Sequence, residues 1–215
     1  MIRFRDFSFG YKEPLFINLN LSIETNKITI LTGENGSGKT TLCRILSGLE
    51  KNYQGSLQIT DKEIKTLSVQ QLAAKFLYLK QEPLSNVVAA TPDEDLAIWQ
   101  SRFADKLTEE HQKKREEVLA ELEISELLET PFWEMSSGQV KRSGMAALLL
   151  NPQKYWILDE PFTGLHREIV QKLIEILQTR KESGLGALII SHKTDEFSSL
   201  ADRILKIEDR RIKEI

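Results

Sequence analysis

From Leu19 to Ile23 apolar and polar residues alternate as Leu-Asn-Leu-Ser-Ile, the period of a strand with one buried face. The beginning of the chain therefore reads as antiparallel β structure. Lys27-Ile-Thr-Ile-Leu-Thr32 is instead a continuous apolar run, the pattern of a buried strand, and it leads into Gly33. Beyond that glycine, Leu42, Ile45, Leu46 and Leu49 fall at helical spacing, and Gly48 stands where a C-cap belongs. The order is strand, glycine loop, helix. Further strands are predicted over Gly55 to Ile59 and Phe76 to Leu79.

The pattern then changes. Thr91-Pro-Asp-Glu94 combines an N-cap threonine, a first-turn proline and a capping-box glutamate, so a helix starts there and carries Leu96, Ala97 and Trp99. A second helix is predicted near Thr108, and its run from Glu109 to Glu117 reads as a solvated face. From about Glu82 to Glu134 the chain is mostly helical, set between strand-bearing segments. An apolar helix ending near Asn151, the strand Tyr155 to Leu158, a helix from about His166 to Lys181 and the strand Ala187 to Ile190 follow. Alternating strands and helices predict an α/β fold with a mainly parallel sheet covered on both faces. Arg203 to Ile207 and Arg211 to Ile215 read as a terminal hairpin.

Length and composition narrow this picture without redirecting it. The 215 residues are enough for one sizeable core, and 40% apolar with 28% charged residues is ordinary for a globular chain. A net charge of −3 gives no sign of general affinity for nucleic acid. No run approaches the roughly 18 to 20 apolar residues of a membrane span, and the N-terminus lacks a signal-peptide core, so a cytoplasmic location is expected. The single cysteine, Cys43, reads as a small buried apolar residue.

The chemistry lies in the punctuation. Gly33-Glu-Asn-Gly-Ser-Gly-Lys-Thr-Thr41 fulfils GxxxxGK[ST], with a strand before it and a helix after it. Gly33, Gly36 and Gly38, with Asn35 and Ser37 between them, let backbone N–H groups converge on phosphate oxygens at a helix N-terminus. Lys39 is expected to reach the β- and γ-phosphates, Thr40 to ligate Mg²⁺, and Thr41 to continue the site. Asp159 and Glu160 follow a buried strand, at the end where ligands bind in open α/β sheets. Asp159 is expected to hold Mg²⁺ through its water shell, and Glu160 to polarise the water that attacks the γ-phosphate.

Five motifs in order carry a resemblance. The phosphate loop, Gln81 after a strand, Ser136-Ser-Gly-Gln139, Ile157-Leu-Asp-Glu-Pro161 and His192 after Leu188-Ile-Ile-Ser191 resemble the nucleotide-binding subunit of ABC transporters over nearly the whole chain. The resemblance implies one ABC ATPase domain, 1–215: a phosphate-loop NTPase core with an N-terminal antiparallel β subdomain over 1–81 and 152–215, and a helical subdomain over 82–151. It implies ATP hydrolysis with ATP and Mg²⁺ as cofactors. Tyr11 would stack on adenine, Gln81 would sense Mg²⁺ and face membrane subunits, and His192 would contact the γ-phosphate. Ser136, Ser137, Gly138 and Gln139 would cap the nucleotide of another subunit.

Two positions depart from the family pattern: Ser137 stands where LSGGQ has its first glycine, and His166 replaces an aspartate two residues after Gly164. In a left-handed backbone the Cβ of Ser137 would cost roughly 1 kcal/mol, whereas at a right-handed helix start it is harmless. Gln81-Glu-Pro83 with Val87 to Asp95, and Pro131 to Arg142, are similar to the ATPases of energy-coupling-factor importers, although Leu84-Ser-Asn86 departs from the Asp-Asp-Gln common there. That similarity implies a second ATPase subunit, with a heterodimer favoured over a homodimer. It also implies a transmembrane component, uptake of a vitamin or metal ion, and a place on the inner face of the membrane. A soluble ABC-type ATPase acting on nucleic acid or the ribosome is the alternative.

Overall fold

The computed structural model describes residues 1–101, 108–151, 155–192, 197 and 199–215. It divides into two compact units: 1–78, 153–161 and 174–215 form the first, and 79–152 with 162–173 the second.

The first unit holds two sheets. In one, β1 (Ile2–Gly10), β2 (Pro14–Ile23), β4 (Gln54–Ile59) and β5 (Lys62–Glu63) lie in the order β2-β1-β4-β5. In β1 the buried positions pass from Ile2 and Phe4 to Phe7 and Phe9, a change of parity that a regular strand cannot make. The register shifts between Phe4 and Phe7, where Asp6 has φ 46°, and the extra residue returns the aromatic side chains to the core. Phe7 then meets Phe4 edge-on with ring centroids 5.1 Å apart.

The other sheet has the order β10-β9-β3-β8-β7-β6. Its strands are β3 (Ile28–Gly33), β6 (Phe76–Leu79), β7 (Tyr155–Asp159), β8 (Ala187–Ile190), β9 (Arg203–Glu208) and β10 (Arg211–Glu214). β3 pairs in parallel with both β8 and β9, and β7 pairs in parallel with β8. All residues of β7 and β8 are buried, as expected of strands covered on both faces. The terminal hairpin forms as read: Asp209 and Arg210, both at positive φ, make the two-residue turn between β9 and β10. Helix α1 (Lys39–Leu46) buries Leu42, Cys43, Ile45 and Leu46 in the core, so Cys43 is packing, as its sequence context indicates. A short α2 (Val69–Ala73), capped by Ser68 and Gln71, had no apolar stripe long enough to show in the sequence.

Among the described residues the second unit holds the α-helices α3 (Pro92–Ser101), α4 (Glu109–Glu121) and α5 (Ser137–Leu149). α6 (Arg167–Glu182) begins in this unit and ends in the first. Thr91 Oγ1 accepts from Glu94 N at 3.4 Å, but the Glu94 side chain accepts from Ala90 N at 3.2 Å and not from Thr91 N, so the expected capping box forms only by half. α4 begins where a helix is expected, and Thr108 caps it. At the latter cap His111 is more than a solvated residue, because its Nδ1 accepts from Thr108 N at 3.2 Å. Glu123 pairs with Arg142 at 3.0 Å and Lys172 at 3.5 Å, tying the beginning of α6 to α5. Among the described residues no helix is long and apolar enough to cross a membrane.

Candidate nucleotide-binding site

β3 ends on Gly33, whose neighbour is the backbone of β9: a Cβ there would lie 2.8 Å from Ile207 O. The chain then turns through Gly36 (φ 80°) and Gly38 (φ 105°), conformations that L side chains rarely adopt. Gly38 is the N-cap of α1 and has no side chain to cap the first turn, so the helix N-terminus remains available to an anion. Lys39 is 7% exposed and folds back over the loop, its Nζ donating to Gly33 O at 2.8 Å and Glu34 O at 2.9 Å. Burial lowers its pKa, and the charges of Glu160 and Asp159 act in the opposite sense. Ser37 Oγ is buried with no hydrogen-bond partner among the described residues, an orphan donor inside the loop. Asn35 and Thr40 are exposed and Thr41 is half-buried.

The parallel sheet brings three strand ends together. Asp159 at the end of β7 lies opposite Ile190 at the end of β8, Glu160 N donates to Ile190 O at 3.1 Å, and β8 flanks β3. Asp159 is 1% exposed and accepts from the hydroxyl of Tyr78 at 3.3 Å, and the Thr40 hydroxyl lies near enough to favour its charged form. Burial raises the Asp159 pKa, these two hydroxyls lower it, and the neighbouring Glu160 charge raises it further. Glu160 has φ 50°, a left-handed backbone at a non-glycine residue that precedes a proline. His192 is exposed, and its Nε2 lies 3.4 Å from Glu160 Oε1.

Tyr11 belongs to the same unit but stands apart from this cluster. It is 62% exposed, packs edge-on against Phe9 with centroids 5.1 Å apart, and donates its hydroxyl to Glu50 Oε1 at 3.2 Å. Arg44 holds the same oxygen at 3.0 Å. A cleft of about 530 Å³ runs past Tyr11, Phe16 and Tyr53.

Gln81 and the Ser136 to Gln139 stretch lie in the second unit. Gln81 is exposed just beyond β6, in a turn that Asn86 closes by accepting from Lys80 N at 2.8 Å and donating to Lys80 O at 2.9 Å. Ser136 caps α5: its Oγ accepts from Gln139 N at 3.3 Å, and Gln139 Oε1 accepts from Ser136 N at 2.8 Å. The Ser136 hydroxyl keeps its own proton to donate elsewhere. Ser137 is the first residue of α5 and is absent from the positive-φ positions, so its Cβ is unstrained.

A glycine cradle with an uncapped helix N-terminus, a buried lysine and a carboxylate at the adjoining strand ends can bind a polyphosphate and hold a divalent cation. Comparison with known proteins agrees with that chemistry. Residues 16–163 match the family model described as ABC transporter. The chain belongs to the ABC transporter family.

It is 32% identical, over 99% of its length and 82% of the relative's, to a putative ABC transporter ATP-binding protein of Pyrococcus horikoshii. It is 30% identical, over 97% of its length and 76% of the relative's, to the energy-coupling factor transporter ATP-binding protein EcfA2 of Leuconostoc mesenteroides. Some other curated relatives are much longer, the chain spanning as little as 35% of one. The dimeric ATP-binding cassette MJ0796 bound to ADP and Pi superposes with a TM-score of 0.86 over 100% of this chain and 98% of that one, at 21% identity. The likeness is one of fold, that of an ABC ATPase cassette. As a member of this family the chain is an ATP-binding subunit and an ATPase.

Several site neighbours carry no sequence signal. Tyr78 is 81 residues from Asp159, and a lone tyrosine at a strand end does not announce a contact. Burial pushes its phenol above the ordinary range, which keeps it a proton donor to the carboxylate. Phe16 comes within 3.0 Å of a Cβ built on Gly38, and Glu50 holds Tyr11; both come from loop and strand packing that periodicity does not encode.

Proposed function

We propose that this ATPase subunit powers an energy-coupling-factor type importer of a vitamin or metal ion, pairing with a second ATPase subunit and docking on a transmembrane component. The observation that carries the reading is the similarity to EcfA2 along 97% of the chain. The turn after Gln81 supports it, because Leu84 and Val88 there are 54% and 57% exposed, apolar surface suited to a protein partner. On this reading the subunit is cytoplasmic and peripheral on the inner face of the membrane, and the 82–151 segment carries its membrane-facing and partner-facing surfaces.

The residues divide the work by chemistry. Lys39 leaves its two loop carbonyls for the β- and γ-phosphates, and Ser37 Oγ gains a phosphate partner. Thr40 offers a hard oxygen donor that fits Mg²⁺ directly, and Asp159, on which the Thr40 hydroxyl acts, one that fits it through the water shell, the remaining positions falling to phosphate and water. Bound there, Mg²⁺ would neutralise charge on the β- and γ-phosphates. Glu160 accepts the proton of the attacking water, and His192 contacts the γ-phosphate. Tyr11 stacks on the adenine, Gln81 relays the state of the site to the membrane partner, and the turn at Ser136 to Gln139 caps the nucleotide of the partner subunit. A heterodimer is favoured, since such importers often use two unlike ATPase subunits; this chain would give one complete phosphate-loop face and, with Ser137 and His166, a slightly altered face toward the second site.

Affinity purification from native membranes tests the assignment. A multispanning protein and a second ATPase recovered with the chain support it; ribosomes or nucleic acid in their place favour the soluble alternative. Lys39→Ala should weaken ATP binding by roughly ten- to a hundredfold, the value of a charge-assisted hydrogen bond or two. Unchanged titration by calorimetry would remove Lys39 from the phosphate site.

A further inference from the structure

Lys141 sits one turn into α5 with 5% of its surface exposed, and lysine is almost never that buried without a partner. Its Nζ donates to the backbone carbonyl of Thr163 at 2.8 Å. Gly138 stands three residues earlier on the same helix face, and a Cβ there would lie 3.3 Å from Gly164 O. Two successive carbonyls of the loop after Glu160 are thus turned onto one face of α5. The loop itself is a tight turn, Leu165 N donating to Phe162 O at 3.3 Å, with Gly164 at φ 80° and Thr163 and Gly164 exposed at its tip.

Local preference does not explain the cation. A positive charge near a helix N-terminus opposes the macrodipole, and the first turn of α5 has no acidic residue to offset it. A residue placed against local preference points to a task outside its own element.

We propose that Lys141 is a positioning residue: it locks the Phe162 to Leu165 turn onto the N-terminal turn of α5, so that both present one rigid surface to the partner's nucleotide. This rests on the pairing with a second ATPase subunit proposed above, here taken to be driven by ATP. It also places the two departures, Ser137 and His166, as exposed positions on either side of a fixed frame.

The test uses the full chain with Lys141→Met, which keeps length and volume, and Lys141→Arg, which keeps a donor. Should the Met variant not fold, Lys141→Gln, whose amide is too short for the carbonyl, takes its place. Expected for Met or Gln are ATP binding by the lone subunit within about twofold of wild type, and kcat lower by about ten- to a hundredfold with little change in KM. Amides 163–165 should exchange hydrogen faster, and Arg should restore most of both. Wild-type kcat and loop exchange in the Met or Gln variant overturn the proposal, as does an Arg variant as defective as Met. If wild type does not pair on adding ATP, the pairing reading fails; loop exchange then judges the anchoring by Lys141 alone.

Discussion

Glu160 Oε1 lies 3.4 Å from His192 Nε2, and the backbone under that glutamate is held at φ 50°. The neighbouring strand end fixes the position, since Glu160 N is bonded to Ile190 O. A carboxylate aimed by a strained, hydrogen-bonded turn is suited to work as a base, because the strain is carried by the sheet and not by the side chain. Glu160→Gln keeps the shape and one acceptor oxygen but cannot take a proton. Its ATP affinity should stay within about threefold of wild type while phosphate release falls by about 10² to 10⁴-fold. Wild-type turnover in a phosphate-release assay would sink the assignment.

Asp159 gives a pH-dependent prediction. Burial holds its pKa above the ordinary 3.8, so in the nucleotide-free protein the folded state binds more protons than the unfolded one from 3.8 up to that raised value. Stability from this group therefore falls as pH rises through the window and stays low above it. Asp159→Asn should melt a few degrees higher than wild type at neutral pH without nucleotide, a gap that closes as the pH falls below 3.8. The same variant should bind ATP with a smaller response to added Mg²⁺ than wild type. Thermal scans with and without Mg²⁺ check both halves.

The loop glycines differ in what surrounds them. A Cβ on Gly36 meets nothing within 4 Å, so Gly36→Ala should cost only the backbone term, about 1 kcal/mol. On Gly38 it would meet the Phe16 ring at 3.0 Å as well, and that ring is fully buried and cannot retreat. Gly38→Ala should lower stability by more, about 2 kcal/mol or above. Equal chemical-denaturation midpoints for the two variants would show that Phe16 does not pack the loop as described.

Much of this was readable in the sequence wherever one local pattern carried the information. The strand into Gly33, the helix starts at Thr91 and Thr108 and the terminal hairpin each depend on a few adjacent residues, and each forms within a residue or two of its expected bounds. The parity change in β1 was not readable, because a bulge at Asp6 leaves no period to count. Nor were the partners of Asp159 and Lys141: Tyr78 and the Thr163 carbonyl reach them through the tertiary fold, and a backbone carbonyl has no residue identity to recognise. Ser136-x-x-Gln139 has the form of a capping box, yet it reads first as a ligand loop because of the motif it belongs to.

Ser137 is where the two readings of that stretch can be separated. It opens α5 in a right-handed conformation with an exposed side chain, so nothing in the backbone calls for glycine there. Gly138 is the residue without room, because the Gly164 carbonyl sits 3.3 Å from where its Cβ would be. Ser137→Gly should therefore leave ATPase activity within about twofold and cost no more than about 0.5 kcal/mol of stability, the lower end of the helix penalty for glycine. Gly138→Ala should reduce turnover although alanine favours the helix, since the added methyl presses on the loop that Lys141 anchors. A large gain in activity from Ser137→Gly would mean that the serine obstructs the partner's nucleotide, and the departure from the family pattern would then be functional and not merely tolerated.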